Sequence, residues 1–368
     1  MKILDKLYAK AGRERIPLAG SFELLPMCNL SCKMCYVRKS AEEVKALGGL
    51  LAKETWLEIA KNATKEGMLN LLLTGGEPFL YPDFQEILEK TMSMGLQVSI
   101  NTNGTMIDEK MAKWLRVHRP VRMNITLYGA SEDTYQSLCG NGEAYERMRN
   151  AVQWLKENEI PVKFNTSITP HNVHDLAKMI AFAKEQGSLI QVATYMFPPV
   201  RRDSAMVGKN DRLSPEEAAK AKVEADYLQS DPKWFLSQAE RLSHFVPLTD
   251  EMLQKQAKLD GHEMTCRAGR CTFWVDWQGR MGNCGMYSAE KYSLKQYTVA
   301  EAWEKVVRDT NEIKYSAVCT NCPNFRICHS CISMVYNETG DIHGRPEYIC
   351  KMTEASAKYY KEYVEKYF

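Results

Sequence analysis

The sequence predicts an α/β chain built on a partial, six-unit barrel of the TIM type, (β/α)6, and three observations carry that reading. Strand-length apolar runs alternate with longer amphipathic stretches from about residue 20 to 200. Several of the amphipathic stretches end in Gly, which tolerates the left-handed conformation at a helix C-terminus. Six strand–helix units imply a parallel sheet with right-handed crossovers, too few for a complete eight-unit barrel but suited to an open one.

The elements follow in order. Residues 1–20 carry Ile3, Leu4, Leu7 and Tyr8 on one face of a short amphipathic helix. Within the barrel, 21–200, the strand candidates are SFELLP (21–26), LNLLL (69–73), LQVSI (96–100), VRMNITLY (121–128), VKFNTSI (162–168) and LIQVATY (189–195). Helical periodicity covers 53–67, 83–95, 109–117, 144–159 and 172–187, with Asn172 and Asp175 resembling an N-cap and its acidic first turn. Residues 201–261 are Ala-, Glu- and Lys-rich and predict a helical bridge. A loop-rich, cysteine-dense segment spans 262–350, and 351–368 closes the chain as a helix.

Composition narrows the partners. The chain has 368 residues, is 45% hydrophobic and 26% charged, and carries a formal net charge of +2. That is ordinary for a globular protein and gives no electrostatic footprint for nucleic acid. The N-terminus has no signal-peptide pattern, and no run approaches the length of a membrane span. The expected setting is cytoplasmic, where thiols stay reduced and twelve cysteines read as metal ligands rather than disulfides.

Cys28, Cys32 and Cys35 form C-x3-C-x2-C directly after the first strand, at the C-terminal edge of the expected sheet. Parallel folds place their chemistry there. An all-thiolate site usually supplies four ligands, and no nearby His or Cys completes a zinc site. Three thiolates can hold three corners of an iron–sulfur cube and leave one iron open for a small chelating molecule.

With the aromatic Tyr36 following at once, this loop resembles the radical S-adenosylmethionine (SAM) enzymes. The resemblance implies a 4Fe-4S cluster whose open iron is chelated by SAM. It also implies reductive cleavage of SAM to a 5′-deoxyadenosyl radical, and a reducing partner such as a flavodoxin or ferredoxin. Later segments agree in order. Gly75, Gly76, Glu77 and Pro78 follow the second strand, where the family meets the methionyl amino group. Paired glycines allow close approach of a ligand. Asn103 follows the third strand at a position that often touches the ribose, and Thr126 ends the fourth near the ribose or carboxylate. The segment 166–170 passes near the adenine.

The distal cysteines are Cys266, Cys271, Cys284, Cys319, Cys322, Cys328, Cys331 and Cys350. Their spacing is similar to the SPASM extension, which holds two auxiliary 4Fe-4S clusters. The resemblance assigns Cys266, Cys271, Cys284 and Cys331 to the first and Cys319, Cys322, Cys328 and Cys350 to the second. Cys328 and Cys331 are separated by two residues where three are usual, which leaves His329 as a substitute for Cys331. Read alone, C-x2-C pairs also fit zinc.

SPASM enzymes mostly modify peptides by crosslinking, epimerisation or oxidation; others act on small molecules such as sugars or amino-acid derivatives. About 20 residues precede the first strand. A leader-binding domain is therefore not expected, and a separate recognition protein is the alternative for a peptide substrate. Gly285, not an acid, follows Cys284, which argues against sulfatase maturation; Asp276 is either a nearby base or a solvated turn residue. Cys139 is either a hydrogen-atom donor to a substrate radical or a small buried packing residue. Arg201 and Arg202 either meet a substrate carboxylate or are solvated.

Overall fold

The computed structural model describes residues 3–263, 266–287 and 290–368. Six parallel strands alternate with helices as expected: β1 Ala19–Glu23, β2 Asn70–Thr74, β3 Gln97–Thr102, β4 Arg122–Thr126, β5 Val162–Ser167 and β6 Ile190–Ala193. Each pairs with the next in sequence. The sheet does not close, so the partial barrel is open with β6 at one edge.

The two faces of the strands differ in chemistry. Leu71, Leu73, Val98, Ile100, Met123, Ile125 and Phe164 are buried against the helices. Each such side chain contributes about 1.5–3 kcal/mol on burial. The alternate positions point into the barrel and are polar: Ser99, Asn101, Asn124, Thr126, Asn165 and Ser167. Asn124 donates to Asn101 across the β3–β4 ladder at 2.9 Å. The lumen therefore suits a polar guest at the C-terminal end of the strands.

The cysteine-dense segment departs from expectation. It adds three short strands, β7 Thr272–Val275, β8 Arg280–Gly282 and β9 Tyr292–Ser293, to the same sheet. β7 runs parallel to β1 on the side opposite β2, and β8 and β9 follow antiparallel. The helix Val299–Glu312 was also missed, although Thr298 and Glu301 form a capping box that the sequence displays.

Other differences are local. The first strand stops at Glu23 rather than at 26, although Leu24 N–H still bonds the Thr74 carbonyl at 2.9 Å, and Pro26 beyond it has no N–H to give. Asn172 and Asp175 hold the N-cap positions of the 3-10 turn Val173–Asp175 and of the helix Leu176–Glu185, but neither side chain makes the capping bond. Asn172 donates to the Tyr128 and Ser167 carbonyls at 2.9 and 3.0 Å, and Asp175 accepts from Ala130 N–H and the Thr134 hydroxyl at 2.9 and 2.6 Å. They tie the β4 and β5 exits together, and the helix begins at Leu176.

The bridge forms the helices Pro215–Gln229, Pro232–Ser243 and Asp250–Gln256. The closing helix starts earlier than expected and runs Glu347–Tyr367, which puts Cys350 in its first turn. It packs on the bridge through Val223, Phe235 and Tyr360. Arg212 and Glu338, both nearly buried, join the loop before the bridge to the cysteine-dense segment at 2.6 Å. No helix among the described residues is long and apolar enough to cross a membrane.

Candidate active site

A cavity of about 210 Å³ opens at the C-terminal ends of the strands. Cys28, Cys32 and Cys35 line it together with Tyr36, Gly75, Gly76, Asn103, Thr126 and Tyr128. The residues predicted for the first cluster and for SAM thus line one cavity, Glu77 excepted.

The cysteine loop is held by backbone bonds to the helix Glu132–Cys139. Ser31 N–H donates to the Cys139 carbonyl at 2.9 Å and Lys33 N–H to the Leu138 carbonyl at 3.0 Å. These are end-of-helix acceptors that have no partner within the helix. Leu30 N–H points at Cys28 Sγ at 3.4 Å, and Arg38 N–H at Cys35 Sγ at 3.3 Å. Burial pushes the Cys28 thiol up to about 12 and raises Cys35 as well. Cys32 is held lower by hydrogen bonds from Cys139 and Tyr128. Three sulfurs around one cavity, two with backbone N–H donors aimed at them, fit a cationic iron–sulfur centre, since coordination deprotonates a thiol outright.

The paired glycines do more than admit a ligand. A Cβ on Gly76 would lie 2.0 Å from the Met27 carbonyl oxygen, and one on Gly75, at φ +150°, 2.4 Å from that of Leu25. Gly76 N–H donates to Leu25 O at 2.7 Å and Glu77 N–H to Met27 O at 2.9 Å. The glycines let the chain leading into Cys28 lie directly on the β2 exit.

The Glu77 side chain turns away from the cavity and is fully buried. Its carboxylate accepts from Phe79 N–H, the Thr102 hydroxyl and Asn103 N–H at 3.2, 2.7 and 2.8 Å. Burial raises it to about 7 against the pull of these three donors. Asn103 lines the cavity, and its amide is engaged: Nδ2 donates to Asn29 Oδ1 at 2.9 Å, and Oδ1 accepts from Thr105. Asn29, Thr105, Tyr128 and Met196 escaped the sequence reading, because only the fold brings these loops together.

Cys139 is fully buried at the end of its helix, behind Cys32 and off the cavity wall. Arg201 is not solvated. Its Nη2 donates to both oxygens of Glu23, at 3.1 and 2.9 Å, and its guanidinium lies over Tyr36, 5.5 Å from the ring centre. Trp274 Nε1–H donates to the same carboxylate at 3.2 Å. Among the described residues the Arg202 side chain donates to the Cys35 carbonyl alone, at 3.4 Å. Asp276 is buried rather than a solvated turn residue. Burial pushes its carboxyl up, yet Lys291 at 3.3 Å and Arg280 at 2.8 Å hold it below the usual range.

Among the distal thiols, Cys319, Cys322, Cys328 and Cys350 surround a cavity of about 40 Å³. Cys331 lies within electrostatic reach of Cys284 and Cys266, and Cys266 of Cys271. Cys271 itself is buried against Ala11 and Leu18. His329 is exposed and accepts from Arg241 Nη2 at 3.0 Å. Among the described residues no three His, Cys or carboxylate side chains converge as they would around a single metal ion.

Residues 22–183 match the radical SAM superfamily, and the cysteine loop, glycine pair and barrel just described all fall within or around that span. The chain carries a radical SAM domain. Its relatives include an AdoMet-dependent heme synthase from Methanosarcina barkeri, 26% identical over 347 residues, 88% of this chain and 94% of the relative. The fold is that of native anSMEcpe solved with AdoMet and the Cp18Cys peptide: TM-score 0.67, 19% identity, 95% of this chain and 98% of the other. Streptococcus suis SuiB bound to its precursor peptide SuiA is similar at TM-score 0.67 and 14% identity, over 94% of this chain and 79% of the other. That domain implies a 4Fe-4S cluster and SAM as cofactors.

Proposed function

We propose that the protein uses SAM-derived radical chemistry to modify a peptide, by crosslinking, epimerisation or oxidation. One observation carries the chemistry: three thiols face a single cavity at the barrel mouth, with no fourth Cys and no His or carboxylate among the described residues of its wall. Cys28, Cys32 and Cys35 would hold the cluster, and Gly75, Gly76, Asn103, Thr126 and Tyr36 would line the SAM site. When bound, that cluster supplies the electron that cleaves SAM to a 5′-deoxyadenosyl radical. The protein's own part is positioning. Leu138 and Cys139 carbonyls fix the loop, Tyr128 and Cys139 face the Cys32 sulfur, and the polar lumen presents Asn101 and Ser167 to a guest.

The distal cysteines would hold two auxiliary 4Fe-4S clusters in the sets Cys266, Cys271, Cys284, Cys331 and Cys319, Cys322, Cys328, Cys350. The cavity shared by the second set supports that grouping, and the turn of His329 toward Arg241 supports Cys331 over His329. A flavodoxin- or ferredoxin-like reductant would feed the enzyme, and a separate protein would recognise any leader. The peptide substrate is supported by the likeness, over nearly the whole chain, to two folds solved with peptides.

A second reading keeps the chemistry and replaces the peptide with a small metabolite. The near full-length similarity to a heme synthase favours it. One experiment separates them. The anaerobically reconstituted protein, carrying roughly twelve irons per chain, is mixed with reductant, SAM and either candidate peptides encoded beside it or heme precursors. Mass spectrometry of 5′-deoxyadenosine and product then identifies the substrate class. Absence of 5′-deoxyadenosine under reduction rejects both readings.

A further inference from the structure

We propose that the open edge of the sheet, β6, is a docking strand to which an extended peptide carrying an acidic side chain adds, and so reaches the cavity of the three thiols. The proposal rests on the peptide reading above and gives it a route.

The backbone of β6 shows which groups are free. Phe164 N–H bonds the Leu189 carbonyl and Ile168 N–H the Ala193 carbonyl, both at 2.8 Å. Leu189, Gln191 and Ala193 therefore direct their backbone groups at β5, and Val192 and Thr194 direct theirs to the opposite side. Among the described residues no strand pairs there. An edge of unpaired N–H and C=O groups is a template for another strand.

That edge faces space rather than packed protein. A groove of about 540 Å³ runs along it, walled opposite by Met352 and Ser356 of the closing helix. The volume falls in the range of pockets that bury organic ligands. A cysteine cluster does not explain it, since no cysteine lines it.

Two observations give the occupant its direction and charge. Tyr195 and Phe197 line the groove, and Met196 between them lines the cavity of the three thiols. A strand laid along β6 thus arrives at the barrel mouth. Within the groove Lys222 is paired with Asp226, whereas Arg241, whose Nη2 donates to His329, has no carboxylate partner among the described residues. Arg241 Nε is buried and has no partner among the described residues. A carboxylate on the incoming strand would meet the guanidinium where it lines the groove and compensate its charge.

The test uses the reconstituted enzyme and a phage-displayed library of random linear twelve-residue peptides. A selected peptide is made synthetically and its affinity measured by fluorescence anisotropy. Methylating its backbone nitrogens one at a time is expected to weaken binding tenfold or more at alternate residues and to leave the intervening ones unchanged. Val192→Pro removes an outward N–H without touching the β5 ladder, and is expected to weaken binding tenfold or more while SAM cleavage without substrate persists. Arg241→Ala is expected to lower affinity about tenfold only for peptides with an acidic residue. A peptide that binds with no alternation in the methylation scan overturns strand docking and leaves the peptide reading standing. A library that yields no binder, with turnover of a small metabolite, overturns both.

Discussion

Replacing Gly76 with Ala probes the contact between the β2 exit and the chain entering Cys28. The new Cβ would sit 2.0 Å from the Met27 carbonyl oxygen and 2.5 Å from its carbon. Ordinary contact begins near 3.4 Å, so one backbone must retreat by more than 1 Å. Retreat breaks the 2.7 Å Gly76–Leu25 and 2.9 Å Glu77–Met27 hydrogen bonds. At about 1 kcal/mol each, their loss costs about 2 kcal/mol. For a chain of this size that lowers Tm by roughly 3 °C. The effect on chemistry is larger, because a 1 Å misplacement of Cys28 against its partners is worth on the order of 100-fold in rate. Gly95→Ala is the control: φ is +87° but no atom lies within 4 Å of the new Cβ, so only backbone strain of about 1–2 kcal/mol arises. Thermal unfolding under anaerobic conditions, iron content and 5′-deoxyadenosine rate are measured on both. A Gly76→Ala enzyme with wild-type Tm and rate refutes the close-approach account of the glycine pair.

Burial raises Glu77 from 4.5 to about 7, so the folded protein binds a proton there that the unfolded chain releases. Its contribution is intact below pH 4.5 and is lost as pH climbs through 7, a fall of about 3 kcal/mol that denaturant titrations from pH 5 to 8 detect. Glu77→Gln is expected to flatten that slope; an unchanged slope places the titration elsewhere. Cys331→Ser is expected to remove one cluster's worth of iron, about four atoms, whereas His329→Ala leaves iron content unchanged; the reverse result assigns the ligand to His329. Glu338→Ala strands Arg212, whose side chain is 8% exposed, and is expected to cost about 3–5 kcal/mol in denaturant unfolding. A loss below 1 kcal/mol shows that Arg212 finds water or another acceptor.

The parallel sheet was legible because each unit repeats a local signal. Two-residue alternation in the strands and helical periodicity between them need no long-range information. The cysteine loop was legible for a similar reason, with three ligands inside eight positions. What escaped depends on distant partners. β7, β8 and β9 have four, three and two residues, too short for a periodic pattern, and are strands only because β1 accepts β7. Arg201 reads as a surface charge until Glu23, 178 positions away, is placed beside it. Asn172 and Asp175 carry a cap signature but are claimed by Tyr128, Ala130 and Thr134. Tertiary acceptors outcompeted the local ones.

Glu23 shows why the cysteine-defined halves of the chain are not mechanically separate. It is the last residue of β1, a strand paired to β2 on one side and β7 on the other. Its buried carboxylate receives Arg201 from the loop after β6 and Trp274 from β7, and Arg201 in turn covers Tyr36, the residue after Cys35. One ion pair therefore touches the cysteine loop, the β6 exit and the cysteine-dense segment. A buried carboxylate without its guanidinium is costly, whereas the pair is nearly neutral to its surroundings, so the three segments must assemble together. Gly285, beside Cys284, adds to this contact: a Cβ there would meet the Trp274 ring at 2.8 Å. The spacing between Cys35 and Cys284 is thus fixed through Tyr36, Arg201, Glu23 and Trp274, a chain of side chains with little freedom to slide. The three-thiol loop and Cys284 are thus tied to one sheet, through contacts that the first strand of the barrel centres.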